Sequence, residues 1–87
     1  MAWRLEYDPA AEKELGKLDR AIQKKIKTYL AEVCELIDPA ARGHGLTGSW
    51  AGLHRYRVGQ LRIIVSIERG IVTVTVIKID RRDSAYN

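Results

Sequence analysis

Apolar residues recur along this chain with two different periods, and the change of period divides it. Trp3, Leu5 and Tyr7 alternate with Arg4 and Glu6, the period of a short strand buried on one face. Asp8-Pro9 then marks a helix start, with Asp8 as cap and Pro9 at the first helical position. Ala11, Leu15 and Leu18 follow at helical spacing, with Gly16 a weak point. A break near Asp19 separates this helix from a longer one. Its apolar stripe is Ile22, Ile26, Tyr29, Leu30, Val33 and Ile37. Lys24, Lys25, Lys27, Glu32 and Glu35 mostly cover the other side. Asp38-Pro39 stops the helix, because a residue before proline avoids the helical region. Residues 38–50 contain Gly43, Gly45 and Gly48, show little periodicity and read as a loop.

The period of two then returns in three strands, about 52–58, 61–67 and 71–80. Gly59-Gln60 and Arg69-Gly70 make the tight turns. Two-residue turns put Arg57 opposite Arg62, Val58 opposite Leu61, Ile67 opposite Val72 and Val65 opposite Val74. One face then carries His54, Tyr56, Val58, Leu61, Ile63, Val65 and Ile67, joined by Val72, Val74 and Val76. The other carries Arg55, Arg57 and Arg62, with Thr73, Thr75, Ile77 and Ile79, and continued parity adds Arg81. The expected fold is α+β: two N-terminal helices packed on one face of a mainly antiparallel sheet of about four strands, in the order β-α-α-β-β-β. The 87 residues suffice for a single domain, 1–87.

Charge changes the picture on the second face. Like charges opposite each other destabilise a ladder, and guanidinium forks match phosphate oxygens. Arg55, Arg57 and Arg62 therefore read as an anion site. The net charge of +4 agrees with an anionic partner such as nucleic acid. The single cysteine, Cys34, excludes an internal disulfide, points to a reducing compartment, and reads as structural. No metal-ligand spacing surrounds it, and no cofactor is expected. No apolar leader and no run approaching ~20 apolar residues is visible, so the expectation is a cytoplasmic protein with no membrane partner. His54 shares the core parity and reads as a satisfied, partly buried histidine. His44 reads as an exposed loop residue, Trp3 and Trp50 as packing residues. Glu6, Glu12 and Glu14 form no catalytic carboxylate pair.

Taken in order, these segments resemble the RelE/ParE toxins of bacterial and archaeal toxin–antitoxin pairs. The resemblance runs through Asp8-Pro9-Ala10-Ala11, Leu15-x-x-Leu18 and the lysine-rich helix. It continues in Leu53-His54-Arg55-Tyr56-Arg57-Val58-Gly59 and Leu61-Arg62-Ile63-Ile64, and closes with Arg81-Arg82-Asp83 and Tyr86. It implies, for the RelE-like branch, a ribosome-dependent endoribonuclease cutting messenger RNA. A ribose 2′-hydroxyl attacks the adjacent phosphorus and leaves a 2′,3′-cyclic phosphate. On that pattern Arg57 and Arg62 hold the scissile phosphate, Arg81 acts as acid or charge stabiliser, and Tyr86 stacks on a base or helps activate the hydroxyl. Arg55 contacts the flanking backbone, Arg82 joins the phosphate-binding set, and Lys24, Lys25 and Lys27 meet ribosomal RNA. Arginine keeps its proton, so the proton acceptor stays open. The implied partners are a cognate antitoxin, the ribosome and mRNA. The alternatives are a ParE-type inhibitor of DNA gyrase without nuclease activity, or a degenerate homologue that only binds antitoxin or RNA.

Overall fold

The computed structural model describes residues 2–81. Five strands and two helices follow in the order β1 (Arg4–Tyr7), α1 (Pro9–Gly16), α2 (Arg20–Cys34), β2 (His44–Gly45), β3 (His54–Val58), β4 (Leu61–Glu68) and β5 (Thr73–Arg81). The strands form one sheet in the order β1-β5-β4-β3-β2. β1 runs parallel to β5, and the other neighbours are antiparallel. The α+β class is as expected, with one strand more than the sequence suggested. No helix among the described residues is long and apolar enough to cross a membrane.

The helices cover one face of the sheet. Ala11 and Leu15 of α1 meet Ile26, Leu30 and Val33 of α2 over Tyr56, Ile63, Val65, Val74 and Val76. Asp8 stands before α1 in an extended conformation. Its carbonyl accepts from Glu12 N at 2.9 Å, while its side chain makes no capping bond. The second helix stops at Cys34, short of the expected Asp38-Pro39. The Cys34 carbonyl is taken up by Trp3 N at 2.7 Å, at the entry to β1. Ile37, expected in the apolar stripe, is therefore off the helix and 98% exposed. Cys34 itself is buried, and desolvation raises its thiol above the ordinary range.

The additional strand comes from the segment read as a loop. His44 pairs with Arg55 and Gly45 with His54. Gly43 makes this approach possible. Its φ is +74°, and a Cβ there would lie 2.1 Å from the Arg55 carbonyl oxygen. The same region anchors the core. Tyr56 donates its hydroxyl hydrogen to Pro39 O at 2.7 Å, and burial raises the phenol well above its ordinary range. His54 is buried, packs edge-on to Tyr56 and donates from Nε2 to the Arg42 carbonyl, so it is a satisfied core histidine.

The first hairpin has the expected register, with Val58 opposite Leu61 and Arg57 opposite Arg62. Gly59 supplies the positive φ (+60°) at the first turn position, and Gln60 follows without one, the pattern of a II′ turn. The second hairpin differs. A 3-10 turn over Arg69–Ile71 ends on Val72 in the left-handed region (φ 50°), so the connection is longer than Arg69-Gly70. Ile67 consequently faces Val74, and Val65 faces Val76. The slip is an even number of residues, so Val74 and Val76 stay in the core. Val72 leaves it and is 41% exposed.

A second departure inverts the end of β5. Val65 pairs with Val76, but Ile64 pairs with Lys78, which leaves Ile77 as an extra residue, a β-bulge. Beyond it Ile63 faces Ile79, Arg62 faces Asp80 and Leu61 faces Arg81. Ile79 and Arg81, expected on the arginine face, thus belong to the helix-covered side, and Ile79 is in the core. Glu14 of α1 fastens the strand at this point, its Oε1 accepting from Ile79 N at 2.9 Å.

Gly43→Ala should lose roughly 2 to 4 kcal/mol, from a left-handed backbone and a contact with Arg55 O that has no room to relax. Urea unfolding measures it, and an unshifted midpoint contradicts the close approach.

Candidate anion-binding face

The face opposite the helices carries two rows of side chains running across the strands. One row is His44, Arg55, Ile64 and Lys78, on β2, β3, β4 and β5. The next is Arg57, Arg62 and Asp80, on β3, β4 and β5. Residues directly opposite in an antiparallel ladder share a face, and neighbouring strands lie about 4.8 Å apart. Arg57 and Arg62 form the pair just inside the Gly59-Gln60 turn. This is a non-hydrogen-bonded position, where the two backbones come closest, to about 4.5 Å between Cα atoms. The two guanidinium stems therefore rise side by side.

Arg62 is held most firmly. Its side chain is 15% exposed, and its Nε lies 3.9 Å from Asp80 Oδ1, on a side chain 26% exposed. Asp80 Oδ1 is itself buried and takes no hydrogen bond among the described residues. The carboxylate thus offsets part of the charge at the Arg57–Arg62 pair without closing a hydrogen bond to it. Arg55 is half-buried and Arg57 is exposed.

Two hollows open on this surface. One, of about 340 Å³, is lined by Arg62, Ile64, Lys78 and Asp80, with Leu46 and Trp50 from the segment between β2 and β3. The other, of about 250 Å³, is lined by His44, Arg55 and Arg57, with Tyr29 and Gly43 at its edge.

Of the residues expected to form the site, Arg55, Arg57 and Arg62 come together. Arg81 does not join them. The bulge turns it to the other side of the sheet, where it borders a groove with Leu18, Ile22, Lys25 and Leu61. The parity on which Arg81 was placed with the arginines is overturned. Lys24, Lys25 and Lys27 are exposed on α2, and Lys24 and Lys25 line a groove with Tyr29 and Val58. Arg82 and Tyr86 lie outside the described residues.

Four side chains at this face were missed from the sequence. Lys78 and Asp80 had a readable signal. Thr73-Val74-Thr75-Val76 alternates, Ile77 repeats an apolar residue, and Lys78-Ile79-Asp80 resumes in the opposite parity. That doublet is the mark of an inserted residue. His44 had none, because a two-residue strand among glycines leaves no period to detect. Trp50 sits in a 3-10 turn (Gly48–Trp50), 44% exposed rather than packed away.

The crowding of Arg57 and Arg62 has an energetic consequence. Arg57→Thr should raise stability by about 0.5 kcal/mol at low ionic strength, and the gain should shrink as salt screens the pair. Paired urea titrations at low and high salt test this, and a loss of stability on replacement contradicts the repulsion.

Comparison with known proteins agrees with this fold. The family model for the ParE toxin of the type II toxin-antitoxin system parDE matches residues 5–86. No curated protein matches the chain by sequence. Among solved structures, the toxin–antitoxin complex RelBE2 from Mycobacterium tuberculosis contains a chain 22% identical. The match has a TM-score of 0.85 and covers 94% of this chain and 93% of that one. A mutant E. coli RelE toxin in the free state is 25% identical at a TM-score of 0.81, covering 98% and 88%. The same mutant bound to an antitoxin RelBc peptide is 26% identical at 0.77, covering 99% and 92%. With its fold matched over nearly its whole length and its family model over residues 5–86, this chain belongs to the ParE toxin family of type II toxin–antitoxin systems, within the RelE/ParE superfamily.

Proposed function

We propose that this toxin is a ribosome-dependent endoribonuclease that cleaves messenger RNA by attack of a ribose 2′-hydroxyl on the adjacent phosphorus. The observation that carries the reading is the Arg57–Arg62 pair, two guanidiniums at the closest approach a ladder allows, with Arg55 two residues away on the same face. An arrangement that opposes folding is accounted for by an anion. The phosphorane of transphosphorylation is such an anion, and fixed positive charge contributes most where negative charge grows. Arg57 and Arg62 hold the non-bridging oxygens, and Arg55 holds the flanking backbone.

The reaction also moves two protons. One leaves the 2′-hydroxyl, and one reaches the departing 5′-oxygen, giving a 2′,3′-cyclic phosphate and a 5′-hydroxyl. Guanidinium serves neither step well, because it keeps its proton. His44 and Lys78 lie in the neighbouring row, one strand out from the Arg57–Arg62 pair on either side. Their chemistry includes both a charged and a neutral form, and proton transfer falls to them. Asp80 is engaged with Arg62. The inverted parity leaves face position as no ground for preferring Arg81 over Arg82, so replacing Arg81, Arg82 and Tyr86 one at a time decides their roles. Lys24, Lys25 and Lys27 extend the cationic surface along α2 and meet ribosomal RNA phosphates. The ribosome supplies substrate geometry, which places the protein's action in the cytoplasm. A cognate antitoxin is the cellular partner, a reading supported by the structural neighbours solved with RelB antitoxins.

Primer extension on translated messages tests the reading. Cuts should fall within codons, vanish without ribosomes, and drop by about a hundredfold or more in Arg62→Ala. Arg57→Ala should abolish growth arrest while circular dichroism shows the fold unchanged; continued arrest by that folded variant removes Arg57 from the site. The second reading, a gyrase inhibitor, is favoured by the ParE description of the matching family model. Inhibited supercoiling with uncut messages establishes it in place of the nuclease.

A further inference from the structure

We infer that the hollow between Trp50 and the β4–β5 ladder is a nucleotide subsite that prefers guanine. The inference deepens the nuclease reading and takes its ligand class, RNA, from it. The hollow's chemistry stands apart from that reading.

The volume, about 340 Å³, is the size of a small-ligand site. Its floor is apolar, because the bulge sets buried Ile64 opposite Lys78. One wall is the Trp50 indole, a large apolar ring left 44% exposed on a turn held by the backbone bond from Leu46 N to Leu53 O at 2.9 Å. An exposed aromatic ring beside an aliphatic floor is a setting in which a nucleobase stacks, at a gain of about 1–3 kcal/mol per base. Arg62 and Lys78 bring two cations to the same hollow, placed for the phosphate of the stacked nucleotide.

Asp80 supplies the discrimination. It lines the hollow with its Oδ1 buried toward Arg62 Nε, which leaves Oδ2 as the oxygen to meet a ligand. An ionised carboxylate only accepts hydrogen bonds. Guanine offers it two adjacent N–H donors, N1 and N2, on its Watson–Crick edge. Adenine and cytosine each offer an amino group beside a bare ring nitrogen, which repels the carboxylate. Uracil offers one N–H between two carbonyl oxygens. A single acidic group in a stacking pocket therefore ranks guanine first.

The chain's two tryptophans provide the readout. Trp50 lines the hollow, while Trp3 donates its indole Nε1–H to Ile37 O at 3.3 Å, outside it. The indole N–H signals of the isolated protein are followed by NMR as 5′-GMP, 5′-AMP, 5′-CMP, 5′-UMP and inorganic phosphate are added, with Trp50→Phe assigning the signals. GMP should move the Trp50 signal and leave Trp3 in place, binding about fivefold tighter than the other nucleotides. Asp80→Ala should erase the preference and keep nucleotide binding. Lys78→Met should weaken all four nucleotides alike. A Trp50 signal that no nucleotide moves overturns the subsite. Equal shifts from inorganic phosphate reduce it to an anion site and overturn it as a base pocket, and equal affinities for the four nucleotides overturn the guanine assignment. None of these measurements needs a ribosome. Selective GMP binding with uncut messages leaves the subsite standing and removes the nuclease reading, and cleavage without any Trp50 response does the reverse.

Discussion

One additional residue in β5, Ile77, reconciles two demands that a regular strand cannot meet together. Val74, Val76 and Ile79 all belong to the core, yet an odd number of positions separates Val76 from Ile79. A regular strand would turn Ile79 to the open face and drive Asp80 into the apolar layer, where an ionised carboxylate is costly. The bulge exchanges the faces in mid-strand, keeps all three aliphatic residues under the helices, and sends Lys78 and Asp80 to the arginines. The disturbance of the ladder is secured from outside the sheet. Glu14 reaches from α1 to accept from Ile79 N, two residues past the insertion. A carboxylate on the helix side thus supports the geometry of the cationic face.

The open face gathers charge where the helix-covered face gathers apolar side chains. Arg57 and Arg62 occupy the ladder position where side chains stand closest, and Asp80 relieves that repulsion through an ion pair of 3.9 Å that forms no hydrogen bond. An acid so placed steadies Arg62 at the crowded pair. Packing carries the other side of the sheet. There Tyr56 ties the core to Pro39, and His54 ties β3 to the Arg42 carbonyl. Both polar groups are satisfied internally, so neither is left to act on a substrate. The division is clear: one face is consumed by folding and by helices, and the other gathers the charged side chains.

Much of this was legible in the amino-acid order because it depends on local rules. Helical spacing marked Ala11, Leu15, Ile26, Leu30 and Val33 as core, and alternation marked Tyr56, Ile63, Val65, Val74 and Val76. Gly59, in a two-residue turn, set the register that brings Arg57 opposite Arg62. These follow from backbone periods and from one residue's freedom at positive φ. The gathering of Arg55, Arg57 and Arg62 was therefore present in the chain before any long-range contact was considered.

What folding added came from contacts between distant segments. His44 joins the arginines because Gly43 lets a loop lie against β3, a pairing with no period of its own. The second helix ends early where Trp3, more than thirty residues away in sequence, takes the Cys34 carbonyl. Arg81 and Asp80 exchange faces because the core claims Ile79, and that claim exists only once α1 and β4 are packed together. Local spacing sets which side chains can share a face. The register at which a strand departs from alternation is settled by whichever pairing buries more apolar surface, and that balance belongs to the assembled molecule.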